Sequence, residues 1–467
     1  MTVGSVAPQD ATMFWLSGRT RNDLFLLYCF TDTGVPSEEL RARVAARAAL
    51  VPDLSVRLRE VPRDLSYPSW VPCAFADDQF FEHHLPECTW PAVESALGTL
   101  LATGVDATHR PWRLHVFRAV TGAPTSSGPV TVAVLQMSHA LADGRHAATL
   151  ARALFTDLPQ GTEVDAVEAS VPLGKSGGPA RSWFGAVPSP ERVGAVVDAV
   201  RGLAEFPFRM VGTVVFGVGA FRAQRELAAL TEAGEVPAAG GGFAPSAVNL
   251  VGDGEVSRHR VRMIVCQAGE LRVPDYTVTV VVLTAVSVAL SEYLAGEQRL
   301  GAQVPMALDG KARARNNYRS LGIDLFADEP DLRARARRIA DDLDQRRRRA
   351  RHPLLAAQDR VTTCTPAPIL RRDVARYPLD VVPDALAGHT VVSSVHRGPA
   401  DLAFGGPVLF TAGFPALGSV MHLTHGVHGL GDTVTLSLHA DLPDLDRYAT
   451  LLRTALSTVP SALAAAP

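Results

Sequence analysis

One short segment, Ser138-His139-Ala140-Leu141-Ala142-Asp143-Gly144, combines residue types able to do acid–base chemistry. A histidine titrates near neutral pH, so it can take a proton from a hydroxyl or amine and return it. An aspartate four residues on, followed by glycine, can turn the chain inward and hold the loop's shape. Such an aspartate finds an arginine or backbone donors and need not touch substrate. HxxxDG is a weak pattern in isolation, and a helix-capping Asp-Gly turn beside an incidental histidine reads the same way. Its place adds weight. Val130–Met137 reads as a hydrophobic strand and Gly144–Phe155 as a helix. In α/β proteins reactive side chains commonly sit at such a strand-to-loop end.

The surrounding elements follow an α/β order. Ser37–Leu50 opens on a Ser-Glu-Glu cap signal and carries apolar residues at helical spacing, as do residues 90–102. Residues 23–30, Trp112–Val120 and Val130–Met137 are rich in β-branched and aromatic side chains and read as strands. Residues 157–192 are rich in Pro, Gly and Ser without periodicity, which suggests a long crossover. Helical patterning returns over 193–230, and a second break at 231–246 contains Gly240-Gly241-Gly242. Beyond it, residues 255–266 and 300–308 read as strands around a helix at 277–294. A charged helix follows at 329–351, then short strands with Gly-rich turns from about 391, and a closing helix at 445–463. The expected division is 1–156, 157–246 as a crossover with helices, and 247–467.

Composition limits the function classes. The chain has 467 residues, 47% hydrophobic and 20% charged, which excludes a disordered or fibrous protein and favours two domains. A net charge of −3 advertises no nucleic-acid partner. Lys175 and Lys311 are the two lysines among 45 Lys and Arg residues, a bias read mainly as high-GC codon usage. The five cysteines form no CxxC pair, so neither a disulfide framework nor a zinc knuckle is indicated. Met1–Met13 lacks the charged and apolar regions of an export signal, so a cytoplasmic protein is expected. The most apolar stretch, residues 210–221, is shorter than the roughly 20 residues of a spanning helix. It reads either as a buried crossover helix or as one lying on a membrane or lipid droplet.

Several motifs, taken in order, resemble the superfamily of chloramphenicol acetyltransferase, nonribosomal peptide condensation domains and bacterial wax ester synthase/diacylglycerol acyltransferases. Its signature is HHxxxDG at a strand-to-helix junction, the second histidine acting as general base. The wax ester synthase branch is the nearest. Asp10-Ala11-Thr12-Met13-Phe14 is similar to that branch's opening Asp-x-x-Phe, with one extra residue. Trp70-Val71-Pro72 and Phe80-Phe81-Glu82-His83-His84 resemble its Trp-Val and Phe-x-x-x-His region, and His109-Arg110-Pro111-Trp112 its Arg-Pro-Leu-Trp motif. Val304-Pro305-Met306 resembles a Val-Pro-Val strand. Residues 393–399, then Phe404-Gly405-Gly406, resemble its Ser-Asn-x-x-Gly-Pro segment and Gly-containing loop.

The resemblance implies two chloramphenicol-acetyltransferase-like subdomains, each a mixed sheet flanked by helices, with a substrate tunnel between them. It implies an acyltransferase without a cofactor, taking an acyl thioester (acyl-CoA or an acyl carrier protein) as donor and an alcohol or amine as acceptor. His139 would be the base, with Asp143 orienting the loop and Gly144 allowing the sharp turn into the helix. Lipid and specialised-metabolite synthesis both fit. Ser138 stands where the signature has its first histidine. Thr277-Val278-Thr279-Val280 replaces the branch's Asn-Asp pair, and Leu308-Asp309-Gly310-Lys311 stands where it has an arginine. These changes are expected to remove groups that brace the catalytic loop. They support the alternative of a non-catalytic, condensation-like protein binding a lipid or carrier-bound intermediate.

Two other clusters invite functional readings. His422, His425 and His428, with His439 nearby, could suggest metal, but the glycines between them argue for a hairpin or loop where side chains do not converge. The arginine-dense run 333–351 reads as a solvated helix with i,i+4 pairing, or as a docking face for CoA phosphates, a carrier protein or an anionic membrane, with Arg346 to Arg349 at its centre.

Overall fold

The computed structural model describes residues 4–156, 190–250, 259–296, 299–308, 314–379 and 381–465. The expected crossover between 157 and 189 lies outside the described residues, as do Asp309, Gly310 and Lys311.

Two mixed sheets organise the chain. The first has the order Val408–Gly413, Leu24–Thr31, Val130–Met137, Trp112–Val120 and Phe80–His83. Its neighbours are antiparallel, save that Phe80–His83 runs parallel to Trp112–Val120. Val130–Met137 is buried along its whole length, which explains a nearly unbroken apolar run: neither face of the strand meets water. On one face lie helices Pro8–Ser17, Ser37–Leu50 and Gly144–Phe155. On the other lies Trp90–Leu101.

The second sheet has the order Arg260–Gln267, Thr433–Ala440, Leu423–Leu430, Thr390–His396, Gly301–Ala307 and Tyr318–Asp324. Thr390–His396 is parallel to both its neighbours and the other pairs are antiparallel. Helices Val278–Tyr293, Leu332–Ala350 and Leu445–Ala464 contribute to a single core against it. Each sheet is thus mixed and flanked by helices.

The sheets do not divide where the sequence suggests. Val408–Gly413 comes from the C-terminal half yet completes the first sheet by pairing with Leu24–Thr31. The same strand abuts Leu423–Leu430 and Thr433–Ala440 of the second sheet. The approach is close: a Cβ on Gly426 would fall 2.1 Å from the carbonyl oxygen of Gly413. Residues 247–467 are therefore not one sheet unit; they lend the first sheet an edge strand and cover that edge.

Three sequence expectations resolve differently in space. Helix Pro190–Glu232 includes residues 210–221, and its outer side chains face solvent, which excludes a buried crossover. His425 and His428 occupy a hairpin strand three residues apart and so point to opposite faces. His425 joins Thr390 and Tyr448, burial pushing its pKa down to about 4; His439 meets His259 and the Pro415 carbonyl. In the arginine-rich helix, Arg346 donates to the Ala238 carbonyl and Arg349 to Thr231 and the Pro237 carbonyl. Arg335 turns inward to Ser287. Arg335, Arg346 and Arg349 thus fasten the helix to the protein, while Arg348 pairs with Asp344 on its exposed side.

Candidate active site

The loop between strand Val130–Met137 and helix Gly144–Phe155 is a tight turn built by its own polar groups. The Ser138 amide donates to the Pro111 carbonyl at 2.8 Å, and Leu141 N–H returns to the Ser138 carbonyl at 2.9 Å. Ser138 Oγ accepts from the Ala140 amide at 3.3 Å. The serine therefore has a job in the loop's geometry.

Asp143 is the N-cap. Its Oδ1 accepts from the amides of Arg145 (3.1 Å) and His146 (2.9 Å), two of the donors that every helix start leaves without partners. Its Oδ2 accepts from the Asn317 amide at 3.2 Å, and its own amide donates to the Arg315 carbonyl at 3.3 Å. One aspartate thus holds the helix start and a segment of the second half. Its partners are backbone groups.

Gly144 has no left-handed backbone to accommodate. A Cβ built on it meets nothing nearer than Val395 Cγ2, at 4.0 Å. The expected role in allowing a sharp turn is therefore corrected. What the missing side chain leaves is space between the helix start and strand Thr390–His396.

His139 sits where the halves meet. Protein surrounds it, yet part of its surface remains accessible. Its ring lies 6.0 Å from that of Tyr318, and among the described residues Nδ1 has no hydrogen-bond partner. Burial lowers its pKa from the usual value, against smaller opposing contributions from its own carbonyl, Asn316 and Asp143. The imidazole is therefore neutral near pH 7, the form a general base requires.

Of the groups that hold this loop, Asp10 stands in the opening Asp-x-x-Phe-like motif, whereas Arg315 and Asn316 carry no expectation from the sequence. Asn316 Nδ2 donates to the His139 carbonyl at 2.7 Å and to Asp10 Oδ1 at 2.9 Å. Asp10, buried, also accepts from the amides of Arg315 (2.9 Å) and Asn316 (2.8 Å). Burial raises the Asp10 pKa while these donors pull it back. Arg315 reaches Asp53 at 2.5 Å and lies 4.4 Å over the Trp70 ring, and His146 meets the same carboxylate at 2.9 Å. The expectation that the loop loses its bracing is thus overturned. Arg315-Asn316-Asn317 supplies the polar groups, shortly after the Val304-Pro305 strand. Thr279 instead bonds Ser394 at 3.1 Å, and Val280 is buried in the core.

Residues 6–236 match the model of the wax ester synthase/diacylglycerol acyltransferase catalytic domain. The chain resembles that branch of the superfamily. A search of the curated proteins finds no match. Among solved structures, the wax ester synthase/diacylglycerol acyltransferase from Marinobacter aquaeolei VT8 superimposes with a TM-score of 0.58 at 16% identity, covering 98% of each chain. The starter condensation domain of rhizomide synthetase RzmA, in a mutant complex with C8-CoA, gives 0.57 at 12% identity, covering 100% of this chain and 96% of that one. A further complex of that domain, with C8-CoA and Leu-SNAC, gives 0.55 at 12%, covering 100% and 95%. The fold is that of condensation and chloramphenicol-acetyltransferase-like proteins. The family match covers residues 6–236, and the shared fold extends over nearly the whole chain.

Proposed function

We propose that this chain moves an acyl group from an acyl thioester, carried on CoA or on an acyl carrier protein, to an alcohol or amine, with His139 as general base. The observation that supports this reading is the neutral, partly accessible His139 ring at the junction, its backbone tied to the second half through Asn316. The two substrates approach the ring along a tunnel between the halves.

The acceptor's O–H or N–H gives its proton to His139 as its oxygen or nitrogen bonds to the thioester carbonyl carbon. The tetrahedral species then collapses, the C–S bond breaks, and the proton passes to the departing thiolate. A thiol with a pKa of roughly 8.5 leaves without a strong acid. No covalent enzyme intermediate forms. A positioned base contributes about 10²–10⁴-fold, and alignment of the two substrates adds a separate share. The test is thiol release from acyl-CoAs of varied length with alcohol and amine acceptors. Loss of turnover in a folded His139→Ala variant is expected; retained turnover overturns the reading.

A further inference from the structure

Two cavities, of about 440 and 170 Å³, share one wall. Thr20, Arg21 and Asp23 line both, and neither cavity borders His139. The wall belongs to the segment between helix Pro8–Ser17 and strand Leu24–Thr31. Phe25, Leu101, Phe414 and Leu417 give the smaller cavity a buried, apolar lining, and His259 and His439 complete it.

Asp23 is buried, and its Oδ2 takes both of its donors, the Val105 amide and Gln136 Nε2, each at 2.8 Å. Its Oδ1 accepts from nothing among the described residues. Burial lifts its pKa to about 6, so at neutral pH most copies carry the charge. The two histidines settle their own tautomers. The Pro415 carbonyl can only accept, so His439 Nδ1, at 2.9 Å, carries the proton. Its Nε2 therefore offers a lone pair, which takes the Nδ1–H of His259 at 2.8 Å. Burial lowers the pKa of both rings, that of His439 to about 3. In neutral His259 the remaining lone pair lies on Nε2, which has no partner among the described residues. One small cavity thus presents a carboxylate oxygen and an imidazole nitrogen that both lack a donor. Acceptors held away from water in this way favour a ligand that brings the donors.

Arg21 supplies the opposite sign. It forms no ion pair among the described residues, and its guanidinium lies against Gly104, where a Cβ would fall 2.9 Å from Nη1. We propose that the smaller cavity and its shared wall bind a free α-amino acid with a branched apolar side chain, the ammonium on Asp23 and His259 and the carboxylate on Arg21. An ammonium brings three N–H donors, enough for Asp23 Oδ1, His259 Nε2 and the Thr20 hydroxyl. The isobutyl group of leucine suits a cavity of about 170 Å³, since a water-sized group occupies about 30 Å³. A simple carboxylic acid leaves both acceptors unfilled, and a simple amine leaves Arg21 unpaired. A metal ion is a poorer occupant still: no group of three or more His, Cys, Asp or Glu able to hold one occurs among the described residues. The bound molecule touches Phe25 and Leu101 on one side and Phe414 and Leu417 on the other, and so ties the halves together. This site stands apart from the acyl-transfer reading.

The experiment is calorimetric titration of the full chain with L-leucine, 3-methylbutylamine and 4-methylpentanoate, joined to melting temperatures with and without leucine. Leucine is expected to bind once per chain and to raise the melting temperature. The amine and the carboxylate, each lacking one charge, should bind about ten- to a hundredfold more weakly. Arg21→Met and Asp23→Asn should each lose a similar factor. Arg21 is exposed, so its variant tests the site even where the other folds poorly. His139→Ala should bind leucine as wild type does. No saturable binding by wild type, single-charge analogues as tight as leucine, or Arg21 and Asp23 variants that bind as well as wild type overturn the inference. So does loss of leucine binding in His139→Ala, which would put the amino acid at the catalytic loop. Binding is read without turnover, so this inference and the acyl-transfer reading can fail separately.

Discussion

The side-chain amide of Asn316 bridges the backbone carbonyl of His139 and the carboxylate of Asp10, at 2.7 and 2.9 Å. One NH₂ group thus joins the histidine loop, the N-terminal helix and the second half. Asn316→Ala leaves a buried carbonyl and a buried carboxylate oxygen each short of a donor. A loss of about 1–3 kcal/mol is expected. Activity should fall further than stability implies, because a shift of about 1 Å in the base can cost about 10²-fold in rate. Asn316→Asp, which sets a second carboxylate against Asp10, should be worse on both counts. Melting temperature and kcat measured together check this; wild-type kcat in Asn316→Ala would show that the bridge does not position the loop.

The pH dependence of acyl transfer follows from the burial of His139. A base is active when neutral, so activity is lost as pH falls through its pKa in the folded protein. Burial has moved that pKa below the usual 6.5. The acidic limb of kcat/KM should therefore have its midpoint below about 6.5, and activity at pH 6.5 should exceed half of its plateau. A midpoint above that value, in a profile recorded by thiol release, would remove His139 as the group responsible.

The parts of this site that were legible in the sequence are the local ones. Strand Val130–Met137 and helix Gly144–Phe155 carry their own hydrophobic periodicity, so the junction holding His139 and Asp143 could be placed from residues 130–155 alone. The brace could not. Asp10 and Asn316 are 306 residues apart, and a one-to-one polar contact leaves no periodic trace. The run Arg315-Asn316-Asn317-Tyr318 was a signal, since two adjacent amides after a strand rarely serve the core, but its partners are set by the fold. Val408–Gly413 was hidden for a related reason. A six-residue apolar strand does not say which sheet it joins, and its partner Leu24–Thr31 lies at the other end of the chain.

Asp23 gives a stability prediction with a definite sign. Its carboxylate accepts from the Val105 amide and from Gln136, each at 2.8 Å, and it borders two cavities of about 440 and 170 Å³, neither of which borders His139. Burial raises its pKa from 3.8 to about 6. The folded state therefore binds this proton more tightly than the unfolded one. Asp23's contribution to stability is largest below pH 4 and declines as pH rises toward 6, by about 3 kcal/mol in all. Asp23→Asn keeps an acceptor oxygen and removes the charge. Its melting temperature should exceed wild type at pH 7.5 and lose that advantage at pH 4. A parallel offset at all pH values would mean that the carboxyl titrates alike in both states.

Gly144 allows the corrected role of the loop glycine to be tested. Its backbone is ordinary and a Cβ would meet nothing nearer than Val395 Cγ2 at 4.0 Å, so Gly144→Ala should fold. Alanine restricts the unfolded chain and favours the helix, so stability should hold or rise by up to about 1 kcal/mol. The added methyl projects into the space between the helix start and Val395, close to the histidine loop. Transfer to a large acceptor should consequently fall more than transfer to a small one, read as the ratio of the two kcat/KM values. A clear loss of stability would instead return Gly144 to a backbone role. Unchanged selectivity with unchanged stability would place the acceptor elsewhere along the junction.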